Sequence, residues 1–489
     1  MNEKVDIDFT PVWCTVVSNN SFELHNYLNE KLAYRPDGYF FSPKYQEGEW
    51  DGWSRLYKIN TKRFRVGLLS RVIQLLSKKG CEVFVINFPS RENTALKKSI
   101  YMTGDGKEVE LREYQKEAIL AALSKRFGII QAPMRSGKTL ISTAIIDNED
   151  SYPVIFYLRN KDLAYQTLEV FKNNFKDISI GFVCDGVCET GKVNIITIQS
   201  AYSAYGKMCK DKSIPKEKEV IKKSEVKDLI KRAKVIFMDE VQDLEGATSG
   251  FIFDKCINAS MKIGLSATPF SNRASSILVE ERVGSIIYKI GYSDLIKAGY
   301  LMRPYIYMYK LPKVDVEGTY RAIYKQAVIE NKFLNDLLIN IVRKLTDNYK
   351  SVVIQTEFVN HSKEIARMLN CEYLTGSDST EKRLRLKQEL IDKKILCLVS
   401  TLFERGLDVP TLDYTINLAG GLSNISTFQR MRSITAHESK TTIGIIDFIH
   451  QCKYLKKHSE KRLDLYSSEP EFVIEIRDVS KKSIEEIFS

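Results

Sequence analysis

The stretch from Ile129 to Ile146 reads IIQAPMRSGKTLISTAII, and it decides the architecture around it. It begins with the end of an apolar run, 127–130, that has the length of a buried strand, and it ends with an apolar helical run. The loop between the two runs closes on Gly137, Lys138 and Thr139. A tight loop that leads into a helix N-terminus aims several backbone N–H groups and the positive end of the helix dipole at one point. The pattern therefore predicts a phosphate-binding loop of the Walker A type.

The residues of this loop have separate predicted roles. Lys138 is predicted to neutralise charge on the β- and γ-phosphates of ATP, and the Thr139 hydroxyl to bind Mg²⁺. Ala132 stands where the strict motif has glycine, so the loop departs from the pattern by one methyl group. On the loop alone, a chance strand-to-helix turn with a surface lysine is the alternative. The predicted nucleotide-binding residues of the loop are Pro133, Met134, Arg135, Ser136, Gly137, Lys138 and Thr139.

An acidic pair later in the chain is the predicted second half of this site. Asp239 and Glu240 follow an apolar run over 235–238, which places two carboxylates at the C-terminal end of a buried strand. Ligands bind at that edge in open α/β sheets. Asp239 is predicted to hold Mg²⁺, and Glu240 to orient or deprotonate the attacking water. Gln242 follows closely and is predicted to hydrogen-bond across to the end of the next strand.

Short apolar runs alternate with helical patterns over most of the chain, which predicts parallel sheets covered by helices. The predicted strands are 127–130, 154–158, 193–198, 235–238, 262–265, 351–355, 372–374, 395–400, 414–418 and 442–446. The lysine-rich stretch 207–232 is predicted to be a charged helical insertion on the surface. The predicted domains are 1–105, an aromatic and basic unit; 106–298 and 299–450, two α/β units; and 451–489, a helical tail.

The charge of the chain favours a polyanionic partner. The formal net charge is +11, and the stretch from Gly52 to Cys81 holds eight lysines and arginines and no acid. The nine cysteines are scattered without the spacing of a disulfide framework or a zinc site. No segment has the pattern of a membrane span or a signal peptide, so we expect the protein to stay inside the cell that makes it.

With the segment LSATP at 265–269 following DEVQ at 239–242, the chain resembles the superfamily-two helicases and translocases over residues 111–450. The resemblance implies two RecA-like parallel-sheet domains in tandem, preceded by a small α+β DNA-binding domain, with ATP and Mg²⁺ as cofactors. It places Arg112 and Gln115 in the motif ahead of the Walker loop, where Gln115 would contact the adenine. Ser266 and Thr268 fall on the motif that couples hydrolysis to movement.

Two arginine-bearing segments of the third unit resemble later motifs of the same superfamily. The resemblance of 400–408 implies that Asp408 contacts the ribose and that Arg405 lines the cleft. The segment that starts QRMR at 429 resembles the motif that supplies an arginine finger, although the usual glycine is missing. Arg430 and Arg432 are the finger candidates, with Arg405 as a substitute. Such an arginine would stabilise charge that develops on the γ-phosphoryl group.

The resemblance also implies contacts along a nucleic-acid backbone, which suit a motor that moves over any sequence. For each serine or threonine among the candidates, a helix cap or turn bond is the alternative. The candidates by motif position are Arg159, Asn160, Gln166, Thr197, Gln199, Ser200, Thr356, Thr375, Gly376, Ser400 and Thr401.

Residues 30–90 resemble the small N-terminal domain of the UvsW-type phage recombination helicases, through DGYFFSPKY at 37–45 and GEWDG at 48–52. That family implies remodelling of branched DNA by branch migration, fork regression and unwinding, in phage recombination, repair or replication. The expected partner is branched or forked duplex DNA, or single strands. We expect a monomer, inside an infected bacterium if phage-encoded, with phage recombination or replication proteins as possible partners. The predicted DNA contacts here are Tyr45, Trp50, Trp53, Arg55, Arg63 and Arg65.

The same segment interleaves aromatic rings with lysines and arginines. Exposed rings would stack on unpaired bases or wedge at a junction, while the basic side chains hold phosphates. About half of the rings are expected to form the domain core, because large aromatics dominate small cores. The rings are Tyr39, Phe40, Phe41, Tyr45, Trp50, Trp53 and Tyr57.

Two other functions remain open from the sequence. One is an RNA helicase or the translocating motor of a restriction system. The other is a DNA-binding protein that uses nucleotide only as a switch, which the irregular arginine motif keeps in play.

Overall fold

The computed structural model describes residues 3–89, 95–206, 216–270, 273–402, 409–419 and 443–488, without side-chain positions for 216–222, 273–275 and 380. The chain divides into two compact units, one of residues 1–132 and 137–289 and one of residues 133–136 and 290–489. Among the described helices, none combines the length and the apolar character that crossing a membrane requires.

The first unit begins with a small α+β domain. Its elements are β1 (Lys4–Phe9), β2 (Trp13–Val16), α1 (Phe22–Lys31), β3 (Ala33–Tyr34), α2 (Pro43–Gln46), β4 (Ser54–Arg55), β5 (Arg63–Arg65), α3 (Leu69–Lys78), β6 (Glu82–Ile86), β7 (Ile100–Met102) and β8 (Glu108–Glu110). The main sheet has the order β5-β2-β1-β6, and only the β1–β6 pair is parallel. Alternate residues of β1, namely Val5, Ile7 and Phe9, are buried because successive side chains of a strand point to opposite faces.

The remainder of the first unit is an α/β domain. Its elements are α4 (Glu113–Lys125), β9 (Phe127–Gln131), α5 (Lys138–Glu149), β10 (Val154–Leu158), α6 (Lys161–Asn174), β11 (Ile180–Cys184), β12 (Val187–Glu189), β13 (Val193–Thr197), α7 (Ile198–Ala204), α8 (Lys216–Arg232), β14 (Val235–Asp239), α9 (Ala247–Asp254), β15 (Met261–Ser266), α10 (Arg273–Val283) and β16 (Ile286–Lys289). The sheet order is β12-β11-β13-β10-β14-β15-β9-β16, and only β12 runs antiparallel to its neighbour. All five strands predicted here are confirmed to within one residue at each end.

The second unit holds another parallel sheet. Its elements are α11 (Tyr292–Lys297), β17 (Tyr305–Lys310), α12 (Tyr320–Tyr324), α13 (Lys332–Asp347), β18 (Val352–Gln355), α14 (Val359–Leu369), β19 (Glu372–Leu374), α15 (Thr380–Ile391), β20 (Cys397–Ser400), β21 (Tyr414–Asn417), β22 (Gly444–Ile449), α16 (Leu455–Ser467), β23 (Val473–Asp478) and α17 (Ile484–Phe488). The sheet order is β19-β20-β18-β21-β22-β17-β23, and every pair is parallel. The predicted fold class, two RecA-like sheets preceded by a small α+β domain, is confirmed.

Two predicted segments differ from the structure in part. The tail after 450 is not wholly helical, because β23 alternates apolar and polar residues and pairs with β17 along its full length. The charged insertion is helical over α8, but Val226, Leu229 and Ile230 are buried in the core of the first α/β domain. That half of the helix is therefore not a surface feature. Residues 207–215 lie outside the described part of the chain.

The small domain packs directly on α10 within the first unit. A Cβ on Gly67 would lie 1.8 Å from the carbonyl oxygen of Glu280, so the two backbones touch and only glycine fits there. Arg65 forms a bidentate pair with Asp254, at 2.6 and 2.9 Å, and Arg71 Nε donates to Glu280 at 3.0 Å. Backbone contact and ion pairs together hold the small domain in one orientation on the α/β domain.

Candidate nucleotide site and nucleic-acid surfaces

The register of three parallel strands brings the predicted motifs to one edge of the first large sheet. Gln131, the last residue of β9, pairs with Ser266 of β15, and Leu265 of β15 pairs with Asp239 of β14. The loop after β9, the SATP segment and the acidic pair therefore leave the sheet side by side. This is the carboxyl edge at which ligands of open α/β sheets bind.

The phosphate loop has the geometry that its sequence predicts. Gly137 has φ +79 at the N-cap of α5, and a Cβ there would lie 2.4 Å from Gln115 Nε2, so a side chain at this position would collide with Gln115. Lys138 Nζ donates to the Ala132 carbonyl at 3.2 Å, which holds the ammonium at the mouth of the loop. The Ser136 N–H donates to the Pro133 carbonyl at 3.3 Å, which makes the loop a tight turn.

The structure explains why position 132 can hold alanine where the strict motif has glycine. Its backbone lies outside the left-handed region that favours glycine, and its N–H donates to the Ser266 carbonyl at 3.0 Å. The residue is buried, so its methyl group occupies space within the domain. Position 132 therefore accepts alanine without backbone strain.

The residues at this edge fit a magnesium nucleotide. The N-terminus of α5, a helix of 12 residues, carries Lys138 and Thr139 in its first turn. Asp239 and Glu240 stand at the end of β14, which β15 separates from β9. Backbone amides and an ammonium suit phosphate oxygens, and a hydroxyl with carboxylates suits Mg²⁺. The left-handed Gly137 at the N-cap of α5, directly before Lys138 and Thr139, is the specific observation that supports the fit.

A hydrogen-bonded chain links the acidic pair to the SATP segment. Gln242 Nε2 donates to Glu240 Oε2 at 2.8 Å, and the Ser266 hydroxyl donates to Gln242 Oε1 at 2.7 Å. The Thr268 N–H in turn donates to Ser266 Oγ at 3.0 Å. Gln242 thus makes the predicted bond to the end of the next strand. Glu240 sits at φ +52, a strained region for a residue with a side chain, and this conformation turns the chain into the bend that carries Gln242.

We expect Ser266→Ala to uncouple strand displacement from ATP hydrolysis rather than to abolish hydrolysis. The substitution removes the link between Gln242 and Thr268 and leaves a buried amide oxygen without its donor, a loss of about 1–3 kcal/mol. Lys138 and Glu240 keep their own side chains, and Glu240 loses only the 3.4 Å contact with the Ser266 hydroxyl. The strand displacement obtained per ATP hydrolysed should fall about tenfold, while ATP turnover changes only a few-fold.

The measurement pairs a coupled ATPase assay with strand displacement on the same preparation. The matched control is Ser77→Ala, a serine on the exposed face of α3. Equal losses of turnover and displacement in Ser266→Ala would contradict a coupling role.

Arg112 and Gln115 lie at the start of α4, as predicted. The Arg112 N–H donates to Gln115 Oε1 at 2.9 Å, which caps the helix and orients the carboxamide. Gln115 is buried, and its Nε2 faces Gly137. The side chain therefore lies beside the phosphate loop, and the adenine contact stays a prediction.

The backbone-contact candidates of the first unit lie where β10 and β13 end. Asn160 and Thr197 are helix N-caps: Asn160 Oδ1 accepts from the Asp162 N–H at 2.8 Å, and Thr197 Oγ1 accepts from the Ser200 N–H at 3.4 Å. These two side chains therefore cap helices, which is the alternative to a phosphate contact that the sequence left open. Arg159 is over half exposed although it pairs with Asp243, and the side chains of Gln166 and Gln199 are exposed as well. Phosphate contacts by this group remain predictions.

The candidates of the second unit follow β18, β19 and β20 at one edge of that sheet. Thr356, Thr375 and Ser400 are buried, and their hydroxyls are engaged with Ser362, Asp378 and the Leu402 N–H respectively. Their side chains thus stabilise the turns after the strands. Gly376 and Thr401 are less buried and lie on the same turns, and the Thr401 N–H donates to the Leu374 carbonyl at 3.1 Å. Phosphate contacts by this group remain predictions.

The structure of the small domain differs from two expectations about its aromatic and basic residues. Only Tyr57 of the seven rings is fully buried, so the expectation that about half form the core is wrong. The core consists mostly of aliphatic side chains from β1, β2, α1 and α3, which fill the space beneath the sheet. Tyr45 and Trp50 are half-buried, and Trp53 is exposed. Arg65 is engaged with Asp254, so we assign it to the contact with the α/β domain rather than to DNA.

Arg63 and Arg65 form a matched pair for testing that assignment. Arg63 is exposed on β5, whereas Arg65 is bound to Asp254 and lies over the Trp13 ring at 4.9 Å. We expect Arg63→Ala to weaken DNA binding uniformly across sequences and to lower the salt slope by about 1. Arg65→Ala should instead lower the free energy of unfolding by about 1–2 kcal/mol.

Tryptophan fluorescence during denaturation reports the second effect directly, because Trp13 lies beneath Arg65. The assignment of Arg65 fails if Arg65→Ala reproduces the salt-dependent loss of DNA affinity and leaves the unfolding midpoint unchanged. Arg55 forms an exposed pair with Asp51, and its contact with DNA stays a prediction.

Four predicted residues lie outside the described part of the chain: Arg405, Asp408, Arg430 and Arg432. Their roles at the ribose and as an arginine finger stay predictions. Sequence reasoning missed the contact of the small domain with α10, whose only signal is the apolar and glycine-containing VGLL at 66–69.

Comparison with known proteins agrees with this architecture. The family model of the type III restriction enzyme res subunit matches residues 108–271, that of the helicase conserved C-terminal domain matches 332–433, and that of the N-terminal domain of the DNA helicase UvsW matches 7–86. The chain is therefore an ATP-dependent DNA helicase and belongs to superfamily two. Its N-terminal match narrows the resemblance to the UvsW type.

The relatives have low sequence identity to this chain but match most of its length. The ATP-dependent DNA helicase UvsW of Enterobacteria phage T4 is 22% identical over 485 residues, 90% of this chain and 93% of that protein. A DNA 3′-5′ translocase, XPB2 of Sulfurisphaera tokodaii, is 22% identical, covering 69% of this chain and 81% of the relative. Among solved structures, the type ISP restriction-modification enzyme LlaBIII bound to DNA is similar in fold, with a TM-score of 0.54 and 15% identity over 84% of this chain and 34% of that one.

Proposed function

We propose that this helicase uses ATP and Mg²⁺ to move along duplex DNA and to remodel branched DNA by branch migration, fork regression and unwinding. The observation that carries the proposal is the hydrogen-bonded chain from Glu240 through Gln242 and Ser266 to Thr268, because it joins the predicted hydrolytic carboxylate to the segment that precedes α10. The small domain packs on α10. A change at the Glu240 carboxylate can therefore reach the small domain through this hydrogen-bonded chain and α10.

The roles of the residues in hydrolysis follow from their chemistry. Bound ATP with Mg²⁺ supplies the phosphoryl group whose cleavage drives the motor. Lys138 and the amides at the start of α5 hold phosphate oxygens and neutralise their charge. Thr139 and Asp239 would hold the metal ion, and Glu240 would accept a proton from the attacking water. The Gln242 bond to Glu240 Oε2 leaves the second carboxylate oxygen for the attacking water, and the bond from Ser266 to Gln242 ties the orientation of the carboxylate to Ser266.

The DNA-directed part of the proposal rests on charge and on the small domain. Eight lysines and arginines without an acid occur between Gly52 and Cys81, and several of them, including Arg63, are exposed. T4 UvsW, which matches this chain over nearly its full length, is a DNA helicase. Backbone contacts and exposed rings suit a protein that follows DNA of any sequence. Monomeric state and a location inside an infected cell stay predictions.

A synthetic four-way junction tests the remodelling claim. With ATP and Mg²⁺ the full chain should convert the junction into the exchanged duplexes, and a non-hydrolysable analogue should give no product. Absence of product from a preparation that hydrolyses ATP normally would refute the claim and leave the helicase assignment standing.

A restriction-type translocase is the second candidate, favoured by the match of 108–271 to the type III restriction res subunit. Such a motor moves on duplex DNA without rearranging junctions. Measuring how strongly single strands, duplexes, junctions and RNA stimulate the ATPase separates the two candidates. Stimulation by duplex alone favours the translocase, and preferential stimulation by junctions favours the remodeller. Stimulation by RNA would refute both.

A further inference from the structure

Five side chains of the small domain form a continuous row of ring–ring and cation–ring contacts, which we call the aromatic ladder. The Phe41 and Phe40 ring centroids are 4.3 Å apart, and those of Phe40 and Tyr39 are 5.6 Å apart. The Arg35 guanidinium lies 4.8 Å from the Tyr39 ring centroid and 4.9 Å from that of Trp53. The ladder thus runs from two phenylalanines at one end through a cation to a tryptophan at the other.

Three rings of the ladder are exposed to solvent. Phe41 is 74% exposed, Phe40 51% and Trp53 38%, although these are among the most apolar side chains of the domain. The domain core lies elsewhere, beneath the sheet, and includes none of these three rings. Adjacent exposed rings of this size mark a binding surface rather than a packing element.

The backbone beneath the ladder holds the rings in place. Gly38, at φ +71, accepts the Phe41 N–H through its carbonyl at 2.9 Å, and Gln46 Nε2 donates to the Phe40 carbonyl at 3.2 Å. A Cβ on Gly52 would lie 2.7 Å from the Tyr39 ring, so the loop packs closely against that ring. The surface is therefore preformed, and a ligand would not need to order it.

The tryptophan end of the ladder opens into a cavity of about 600 Å³ between the small domain and α10. Its walls carry the cations Lys31, Arg35 and Arg71, together with the rings of Tyr34 and Trp53; Glu30 and Asp37 also line it. Arg71 is paired with Glu280, which leaves Lys31 and Arg35 as the cations that can meet a phosphate. The volume lies within the range of sites that enclose small molecules or a nucleotide.

We propose that the aromatic ladder and this cavity bind an unpaired DNA strand. Bases stack on Phe41, Phe40 and Trp53, Lys31 and Arg35 meet the phosphates, and one nucleotide enters the cavity against α10. Every base has a π face, so such stacking tolerates any sequence, whereas the bases of an intact duplex are already stacked on one another. The inference rests on the proposed DNA function and names the form of DNA that the small domain takes.

Binding of fluorescently labelled oligo(dT) and of a blunt duplex to the full chain tests the proposal. The double variant Phe40→Ala/Phe41→Ala should bind oligo(dT) at least about tenfold more weakly, since each stacked base contributes about fivefold or more. Its affinity for the duplex and its ATPase without DNA should stay within about twofold of the wild type. The matched control is Phe22→Ala, which removes a ring 71% exposed elsewhere on the same domain, and it should change none of these.

Quenching of tryptophan fluorescence gives an independent readout. Oligo(dT) should quench the wild-type emission, and Trp53→Ala should abolish most of that quenching. The ladder proposal is overturned if the double variant binds oligo(dT) as the wild type does, or if it loses oligo(dT) and duplex affinity equally. Failure of the wild type to bind or be stimulated by any DNA would overturn the proposed function itself, which is a separate result.

Discussion

Lys138→Ala should lower ATP turnover by about a hundred- to a thousand-fold, the usual effect of removing one preorganised group that stabilises transition-state charge. The lysine emerges from the first turn of α5 and its ammonium lies at the mouth of the phosphate loop, 3.2 Å from the Ala132 carbonyl. No second side chain of the loop carries a charge in the same place. DNA binding should survive, because the exposed basic residues of the small domain are unaffected.

Turnover is measured with and without DNA, and DNA affinity is measured on the same preparations. The matched control is Lys161→Ala: Lys161 is also the first residue of a helix that follows a parallel strand, but only Arg159 and Asn160 separate it from that strand, β10, so no phosphate loop precedes it. Wild-type turnover in Lys138→Ala would refute the assignment of the phosphate site. Glu240→Gln should give the same phenotype, since the amide cannot accept the proton.

The second large effect is on stability: Arg462→Ala should lower the free energy of unfolding of the second unit by about 3–5 kcal/mol. Arg462, on α16, donates to Asp447 of β22 at 2.7 and 2.8 Å, and both side chains are almost fully buried. Tyr466 and Asn417 donate to the same carboxylate. Removing the arginine leaves a buried carboxylate without its countercharge.

The pH dependence distinguishes this mechanism from simple loss of packing. Burial alone would raise the pKa of Asp447, but the charge and hydrogen bonds of Arg462 outweigh burial and hold the pKa below its usual value. In the wild type this contribution is present above the unfolded pKa and is lost as the pH falls through the folded one. In Arg462→Ala the burial effect is opposed only by the hydrogen bonds from Asn417, Tyr466 and the Phe448 N–H, so the carboxyl protonates more readily. The stability gap between the two proteins should therefore narrow toward acidic pH.

The probe for this experiment must be chosen with the tryptophans in mind. All three lie in the small domain, at positions 13, 50 and 53, and report the first unit. Far-UV circular dichroism in urea and hydrogen exchange of β22 report the second unit instead. Arg385→Ala is the control, since Arg385 forms an exposed pair with Glu389 that contributes about 1 kcal/mol or less. An equal loss in both variants would contradict the role of burial.

Much of the α/β architecture could be predicted because its strands are continuous apolar runs between helical patterns. Two of the strands that escaped prediction lack that signal. β23 reads VIEIRD and β17 reads YIYMYK, with charges or tyrosines in place of aliphatic residues. Both become strands because β22 offers a free edge to β17, and β17 then offers one to β23. Pairing with a preformed edge overrides weak local preference.

Some features of the candidate site could also be predicted from the sequence, and others could not. The phosphate loop and the acidic pair follow from short local patterns, since a strand, a tight loop and a helix make an anion site by themselves. The distinction between Arg63 and Arg65 could not be predicted. The two residues are two apart on β5 and equal in charge, but Arg65 meets Asp254, a residue far away in the sequence. Only packing of the small domain on α10 separates a DNA-contact candidate from an interface residue.

The sequence by itself determined the phosphate cradle, the order of the helicase motifs and the aromatic, basic character of the first domain. Each of these depends on residues that are neighbours along the chain. Only the tertiary structure decided that β9 lies beside β15 and β15 beside β14, which joins Glu240, Gln242 and Ser266 into one hydrogen-bonded chain. It also decided which rings face solvent. The physical reason is that strand order and burial arise from contacts between distant segments, and local residue preferences do not specify them.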